Sequence, residues 1–316
     1  MKIVVLDGYA LNPGDLDWDP IEKFGELTVY ERTPVDLIVE RCKEANIILT
    51  NKTPLKKEAF DKLQNVKLVG VLATGYNIVD IQAAKERDIP VCNVPAYGTA
   101  SVAQHTFALL LELTNHVGVN AVSVSNGEWV KAKDWSYSKS PIIGLAGKVI
   151  GIVGFGNIGQ QTARIAEAFG MKIIYNGPNK KNTSVSAEYV SLHELFAKSD
   201  FISLHCPLKA DNTKFVDAQL LKLMKPSSVL INTSRGQLIE ETDLAFALNN
   251  NIITGAALDV LSTEPPAADN PLLTAKNCII TPHTAWMAKE ARQRILETTA
   301  NNIQAFINNK PVNVVN

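Results

Sequence analysis

Val149-Ile150-Gly151-Ile152-Val153 runs straight into Gly154-Phe155-Gly156-Asn157-Ile158-Gly159, and a helical pattern over 158–168 follows at once. The first run is apolar throughout, which suits a strand covered on both faces. In the loop, Gly154 permits a tight turn, Gly156 lets a pyrophosphate approach the backbone, and Gly159 lets helix and strand pack closely. Unpaired amides and the positive end of the next helix then favour phosphate charge. A glycine pattern alone arises for steric reasons too. Set between a strand and a helix of one βαβ unit, it points to dinucleotide binding.

The same alternation extends in both directions. Short apolar runs at 3–6, 47–50, 68–71, 172–175, 201–204, 229–232, 255–258 and 278–281 read as further strands. Helix-like stretches fall at 34–45, 56–63, 100–115, 191–198, 217–223, 241–249 and 289–308. Strand and helix in turn predict an α/β fold with doubly wound parallel sheets. The stretch 91–98 (VCNVPAYG) places Pro and Gly just before a long apolar helix, which marks a domain boundary near residue 98. If the last helix packs on the N-terminal half, the expected domains are 1–98 plus 287–316, and 99–286.

Composition narrows the function classes. The 316 residues hold 31 Lys+Arg against 32 Asp+Glu, with 46% hydrophobic residues. Near-zero net charge gives no basic surface for nucleic acid or an acidic membrane. The apolar content is that of an ordered globular protein. Cys42, Cys92, Cys206 and Cys278 are widely separated, so neither a zinc site nor a disulfide framework is signalled, and no metal is expected. No apolar run reaches the length of a membrane span and the N-terminus (MKIVVLD) is too short for a secretory segment, so a soluble, cytoplasmic protein is expected.

An NAD site ordinarily has Asp or Glu at the end of the second strand, accepting from the ribose 2′-hydroxyl. Here Lys172-Ile173-Ile174-Tyr175 ends in Asn176-Gly177-Pro178. Asn176 can bond a hydroxyl without repelling a 2′-phosphate, and Lys180 and Lys181 are either phosphate partners or solvated turn residues. NAD and NADP both stay open. Three more segments sit at predicted strand ends: 231–236 with Arg235, 258–265 with Glu264, and 281–286 with His283. Strand C-termini line the ligand crevice of an open α/β sheet, so these side chains can converge.

Together with Val71-Leu72-Ala73-Thr74-Gly75-Tyr76-Asn77, Asn93-Val94-Pro95 and His205-Cys206-Pro207-Leu208, these segments resemble the D-isomer-specific 2-hydroxyacid dehydrogenases over nearly the whole chain. Tyr97-Gly98-Thr99-Ala100-Ser101-Val102-Ala103-Gln104 and Trp286 are similar to its glycerate dehydrogenase (hydroxypyruvate reductase) branch.

The resemblance implies two Rossmann-like domains, with substrate held in a cleft that closes around hinges near residues 98 and 287. It implies NAD or NADP as cofactor and a small 2-keto or 2-hydroxy acid as substrate. His283 would supply the proton, since imidazole titrates near ~6.5. Glu264 would fix its tautomer and favour imidazolium. Arg235 would hold the substrate carboxylate with its planar donor fork, and amides at Thr74 and Gly75 would meet the same carboxylate.

By the same resemblance the cofactor contacts are Gly154, Gly156, Asn157, Ile158 and Gly159 at the pyrophosphate, and Asn176 at the ribose. Cys206 and Pro207 fall beside the adenosine, and Thr233, Ser234, Asp259, His283 and Ala285 around the nicotinamide. Trp286, Trp135 and Tyr76 would shape the substrate pocket. The helix from Ser101, with the 126–141 segment carrying Trp129 and Trp135, corresponds to a dimerisation arm, so a homodimer is expected. Two other functions fit the same fold. One is a nucleotide-sensing, corepressor-like binding protein; the other is 3-phosphoglycerate dehydrogenase, disfavoured because the chain ends at Asn316 with no regulatory domain.

Overall fold

Two separate parallel sheets, one of five strands and one of seven, form the framework of the computed structural model, which describes residues 1–316. Each sheet belongs to its own compact unit: Met1–Gly98 with Trp286–Asn316, and Thr99–Ala285. The first unit opens with β1 (Lys2–Val5), α1 (Asp19–Glu22), β2 (Glu26–Val29), α2 (Ile38–Cys42) and β3 (Ile47–Thr50). It continues through α3 (Lys57–Phe60), β4 (Leu68–Val71), α4 (Ile81–Lys85) and β5 (Val91–Cys92).

The second unit begins with α5 (Thr99–Asn115) and α6 (Val117–Ser125), then β6 (Val149–Val153), α7 (Asn157–Ala168), β7 (Lys172–Asn176) and β8 (Ala187–Tyr189). It is completed by α8 (Leu192–Lys198), β9 (Phe201–Leu204), α9 (Ala218–Leu223), β10 (Val229–Asn232), α10 (Glu241–Asn249), β11 (Gly255–Leu258) and β12 (Cys278–Ile280). Helix α11 (Lys289–Ile307) belongs to the first unit. No single helix is long and apolar enough to cross a membrane.

Sheet order follows from which strands are apolar on both faces. Every residue of β3, β4, β9, β10 and β11 is buried, and all five are interior strands. The first sheet runs β2-β1-β3-β4-β5 and the second β12-β11-β10-β9-β6-β7-β8. Residues 313–316 line the open side of β5, where Val315 N donates to Val91 O at 2.9 Å. In the first unit, Ile38, Phe60 and Ala84 of α2–α4 pack on one face of the sheet, and Ile21, Ile295 and Ile303 of α1 and α11 on the other. In the second, α5 and α7 cover one face through Phe107, Leu110 and Ala163. Leu195, Leu221 and Leu244 of α8–α10 cover the other.

The differences from the sequence reading have physical causes. β2 and β8 lie at or next to sheet edges, are mostly exposed, and so lack an apolar run. β5 is two residues long. The stretch 34–45 splits into a 3-10 turn at Val35–Leu37 and the short helix α2, a tightening common at helix starts. His116, at φ +51°, ends α5 in a left-handed turn, and α6 leaves at 58° to it.

One buried carboxylate joins three elements of the second unit. Asp259, just past β11, is 1% exposed. Its Oδ1 accepts from Thr281 Oγ1 at 2.6 Å and Thr284 N at 2.8 Å, and its Oδ2 from Ala285 N at 2.9 Å. His105 Nε2, on α5, lies 3.3 Å from Oδ1. Burial works to raise the Asp259 carboxyl, but the hydrogen bonds from His105, Thr281 and the two amides outweigh it and hold the group below its ordinary value.

Asp259→Asn keeps the shape and removes the charge, so it should lower the unfolding free energy by about 2 kcal/mol at pH 7. A carboxyl depressed in the folded state stabilises fully above its unfolded value and loses that contribution as pH falls through the folded one. The gap between parent and Asp259→Asn in urea titrations should therefore be widest at neutral pH and narrow below 3.8. A gap constant with pH would show that the charge is not what holds this corner.

Candidate active site

In the second sheet β6 pairs with β7 on one side and β9 on the other, so the chain leaves β6 at the point where strand order reverses. Ligands of open α/β sheets bind outside strand C-termini at such a point. The loops after β6 and β9 meet there. Gly154 has φ +94°, and a Cβ on it would lie 2.5 Å from Cys206 N, so no other residue fits. A Cβ on Gly159 would lie 2.2 Å from Gly154 O, which is the close helix–strand contact expected of the third glycine. Gly156 caps α7, and a Cβ there would meet no protein atom within 4 Å.

The protein's own packing therefore does not require glycine at 156, whereas a phosphate close to the backbone would. Asn157 and Ile158 begin α7, whose first-turn amides have no partner within the helix. Geometry and chemistry fit a dinucleotide pyrophosphate. At the end of β7, Asn176 O accepts from Gly154 N and Asn176 Nδ2 donates to Val190 O, both at 2.8 Å. The amide oxygen of the side chain is the atom outside those bonds, a neutral acceptor for a hydroxyl.

The β9 loop is secured from below. His205 Nε2 lies 2.9 Å from Ser203 Oγ and 3.3 Å from Thr162 Oγ1, and desolvation pushes the imidazole down to about 3. It is neutral at physiological pH. Burial pushes the Cys206 thiol up to about 11, which removes it as a nucleophile. Asn212 Nδ2 donates to Pro207 O at 2.8 Å.

Beyond β10, Ser234 Oγ donates to Cys206 O at 2.6 Å and Thr233 Oγ1 lies 3.1 Å from Thr106 Oγ1 of α5. Both hydroxyls thus act inside the protein's own network. Asn232 Nδ2 donates to Arg235 O at 2.8 Å, fixing the turn that carries the exposed guanidinium. Gly236 lies against the Leu261 backbone, where a Cβ would come within 1.9 Å, and Gln237 Nε2 donates to Ser262 O at 2.7 Å. These contacts lock the Arg235 turn to the segment leading into Glu264.

Glu264 and His283 are brought together. His283 Nδ1 lies 2.6 Å from Glu264 Oε2, while Glu264 Oε1 accepts from Leu261 N at 3.1 Å. A carboxylate oxygen only accepts, so the proton between them is on Nδ1 and Nε2 is the ring nitrogen directed elsewhere. The histidine is partly exposed, at 27% of its side-chain surface. His283 sits at φ +53°, and its amide donates to Asp259 O at 2.8 Å. Ala285, the other sequence candidate on this turn, is buried and held through the Asp259 carboxylate.

Of the remaining candidates, Trp135 is an exposed residue of the second unit, and the others belong to the first. Thr74 and Gly75 follow β4, where Thr74 Oγ1 donates to Val94 O and Asn93 Nδ2 to Thr74 O, both at 2.8 Å. Trp286 packs edge-on against Tyr97 with ring centroids 6.3 Å apart. Sequence reading did not single out His105 or Thr162. Each is an ordinary helical residue whose role depends on a partner far along the chain, and no local pattern marks it.

A family model described as D-isomer specific 2-hydroxyacid dehydrogenase, NAD binding domain, matches residues 107–285. A hydroxypyruvate reductase of Blautia hydrogenotrophica is 50% identical over 100% of both chains. A glycerate dehydrogenase of Methylorubrum extorquens is 38% identical over 99% of this chain and 98% of its own. Among solved structures, an acyclic imino acid reductase in complex with NADPH and D-Arg matches with a TM-score of 0.87 and 34% identity, covering 100% of both chains. With its glycine loop at the strand-order reversal and its histidine–carboxylate pair at the strand ends, the chain belongs to the D-isomer specific 2-hydroxyacid dehydrogenase family and is an oxidoreductase that uses a nicotinamide cofactor.

Proposed function

We propose that this cytoplasmic enzyme interconverts hydroxypyruvate and D-glycerate, using NAD or NADP. The observation that carries the reading is the 2.6 Å Glu264–His283 pair, set on a turn beside the locked Arg235 loop. Kinship with the hydroxypyruvate reductase and the glycerate dehydrogenase supports the choice of substrate. A nicotinamide cofactor, when bound in its reduced form, would supply the hydride that the keto carbon takes up.

The chain's own residues handle charge and protons. Arg235 takes the substrate carboxylate through its planar fork. Charge develops on the former keto oxygen, and His283 Nε2–H donates a proton to it. Glu264 stabilises the imidazolium that makes this donation and keeps Nδ1 protonated afterwards. In the reverse direction Nε2 takes the hydroxyl proton. The Gly154–Gly159 loop and the start of α7 would hold the pyrophosphate.

The neutral Asn176, followed by Lys180 and Lys181, sets no charge against a 2′-phosphate, so both cofactors are accepted. The chain also forms a homodimer through α6 and the arm after it. Val117, Val122, Trp129, Val130, Trp135 and Ile142 are all exposed there, with Val130 at 91% and Trp135 at 88%. The arm is folded by its own bonds: Ser123 Oγ lies 2.7 Å from Tyr137 OH, and Trp129 Nε1 donates to Trp135 O at 3.0 Å. An ordered apolar surface of this kind fits an interface, and a twofold axis lets one patch cover its own copy.

Steady-state rates with hydroxypyruvate, glyoxylate, pyruvate and 3-phosphohydroxypyruvate, each with NADH and NADPH, test the substrate assignment. Hydroxypyruvate should have the highest kcat/KM, and no turnover of any of the four would point to a nucleotide sensor instead. His283→Asn should lower kcat by about 10²–10⁴-fold with cofactor affinity nearly unchanged; an unaltered kcat would remove the imidazole from proton transfer. Asn176→Asp should move the NADH/NADPH ratio of kcat/KM toward NADH by roughly tenfold, about 1.4 kcal/mol of added repulsion. No movement would mean that the side chain lies away from the ribose. Light scattering should give twice the 34.4 kDa chain mass for the parent and the single mass for Val130→Asp/Trp135→Asp; a parent monomer would refute the interface.

A further inference from the structure

We propose that Glu241 is a positioning residue: its carboxylate clasps both ends of the loop that carries Glu264 and so holds Glu264 against Nδ1 of His283. The inference rests on the reading above, in which that pair handles the proton. It concerns the second unit alone, to which all of these residues belong.

Glu264 lies on a stretch with neither helix nor strand. Every residue from Thr263 to Asp269 is exposed, whereas Leu261 is buried and Ser262 and Asn270 are half-buried. The exposed stretch brings no side chain into the core, so its placement has to come from its ends. A loop fixed only there needs firm anchors if one of its carboxylates is to meet a particular ring nitrogen.

Glu241, in the first turn of α10, supplies both. Its Oε1 accepts from Ser262 N at 2.7 Å, and its Oε2 from Asn270 Nδ2 at 2.9 Å. Gln237 Nε2 donates to Ser262 O at 2.7 Å, so both backbone polar groups of Ser262 are held. At the far end Asn270 Oδ1 accepts from Leu272 N at 3.0 Å, and Leu272 shares a core with Leu244 and Leu248 of α10. One step before Ser262, Leu261 N donates to Glu264 Oε1 at 3.1 Å, while Glu264 Oε2 meets His283 Nδ1 at 2.6 Å. The bonds thus run from α10 through the loop backbone to the imidazole.

An acidic residue in a first helical turn ordinarily serves the helix, whose positive end it faces. Glu241 and Asp243 both occupy that turn of α10. Asp243 Oδ2 accepts from Ala218 N at 2.8 Å, and Lys214, the cation of this surface, pairs with Glu240 at 2.8 Å. Glu241 takes neither partner and gives its two oxygens to Ser262 and Asn270. A carboxylate accepts at both oxygens and donates at neither, which is the chemistry that takes an N–H from each end of a loop. A glutamine offers one acceptor and one donor group, and so holds one end only.

Glu241→Ala removes the clasp and Glu241→Gln leaves one acceptor; thermal melts check that each is folded, and Glu241→Gln carries the test if the alanine variant is not. With hydroxypyruvate, kcat of Glu241→Ala should fall about tenfold with KM within about twofold, and Glu241→Gln should fall part of the way. In a Glu264→Gln background, Glu241→Ala should cost less than about twofold, because the group it positions is already gone. Ring nitrogen-15 spectra add a readout independent of turnover, with the His283 signals identified by their loss in His283→Asn. At about pH 9, above the ordinary imidazole value of about 6.5, His283 of the parent should carry its proton on Nδ1, and that share should drop in Glu241→Ala. An unchanged kcat, an unchanged Nδ1 share, or an equal kcat loss with and without Glu264 overturns the positioning role and leaves the reaction standing. A parent that reduces none of the keto acids overturns the reaction, and the nitrogen spectra then decide by themselves whether Glu241 places Glu264.

Discussion

The turn that carries His283 depends on the carboxylate of Asp259. His283 occupies the left-handed region at φ +53°, where a side chain other than glycine is disfavoured by roughly 1–2 kcal/mol. The turn nonetheless persists because Asp259 engages it from both ends of the residue. Its carbonyl accepts from His283 N, while its carboxylate takes Thr281, Thr284 and Ala285, the residues on either side. The imidazole is thereby presented by a strained backbone whose strain is offset elsewhere, a recurring property of functional turns. Moving the turn by one dihedral would carry Nδ1 away from Glu264.

The same logic operates across the whole C-terminal edge of the second sheet. Parallel strands release their chains at one edge, so residues far apart in sequence become neighbours without any direct connection. Gly154 sits against Cys206, Ser234 donates to Cys206 O, and Gly236 lies on Leu261. Each contact is backbone against backbone or a short hydroxyl to a carbonyl. Such contacts leave little room for adjustment, which suits a site that must hold reacting atoms to a fraction of an ångström. The edge of the first sheet repeats the device, with Asp7 gathering three amides of the β3 loop.

What could be read from sequence follows from burial. Strands covered on both faces leave continuous apolar runs, and every such run became a strand within a residue or so of its expected bounds. β2, with three of its four residues exposed, and β8, at the sheet edge, leave no run. Helices α1 and α4, of four and five residues, are too short to show a period. In the site, the glycine loop was legible because its spacing is dictated by local sterics. The partners of Asp259, Asp7 and His205 were not. A hydrogen bond to a residue tens of positions away has no periodicity, and an isolated His105 or Thr162 looks like any polar residue on a helix.

Two carboxylates in one corner show how burial divides labour. Asp259 is 1% exposed and saturated by donors, so its charge is fixed for structure. Glu264 has 36% of its side-chain surface open and, besides accepting from Leu261 N, meets His283 at 2.6 Å. Solvent screens an ion pair of that kind, and its contribution to stability is small. What the contact does settle is which imidazole nitrogen carries the proton, since the carboxylate can only accept from Nδ1–H. Exchanging the two environments would undo the arrangement, because an exposed Asp259 would let the turn relax out of its left-handed conformation.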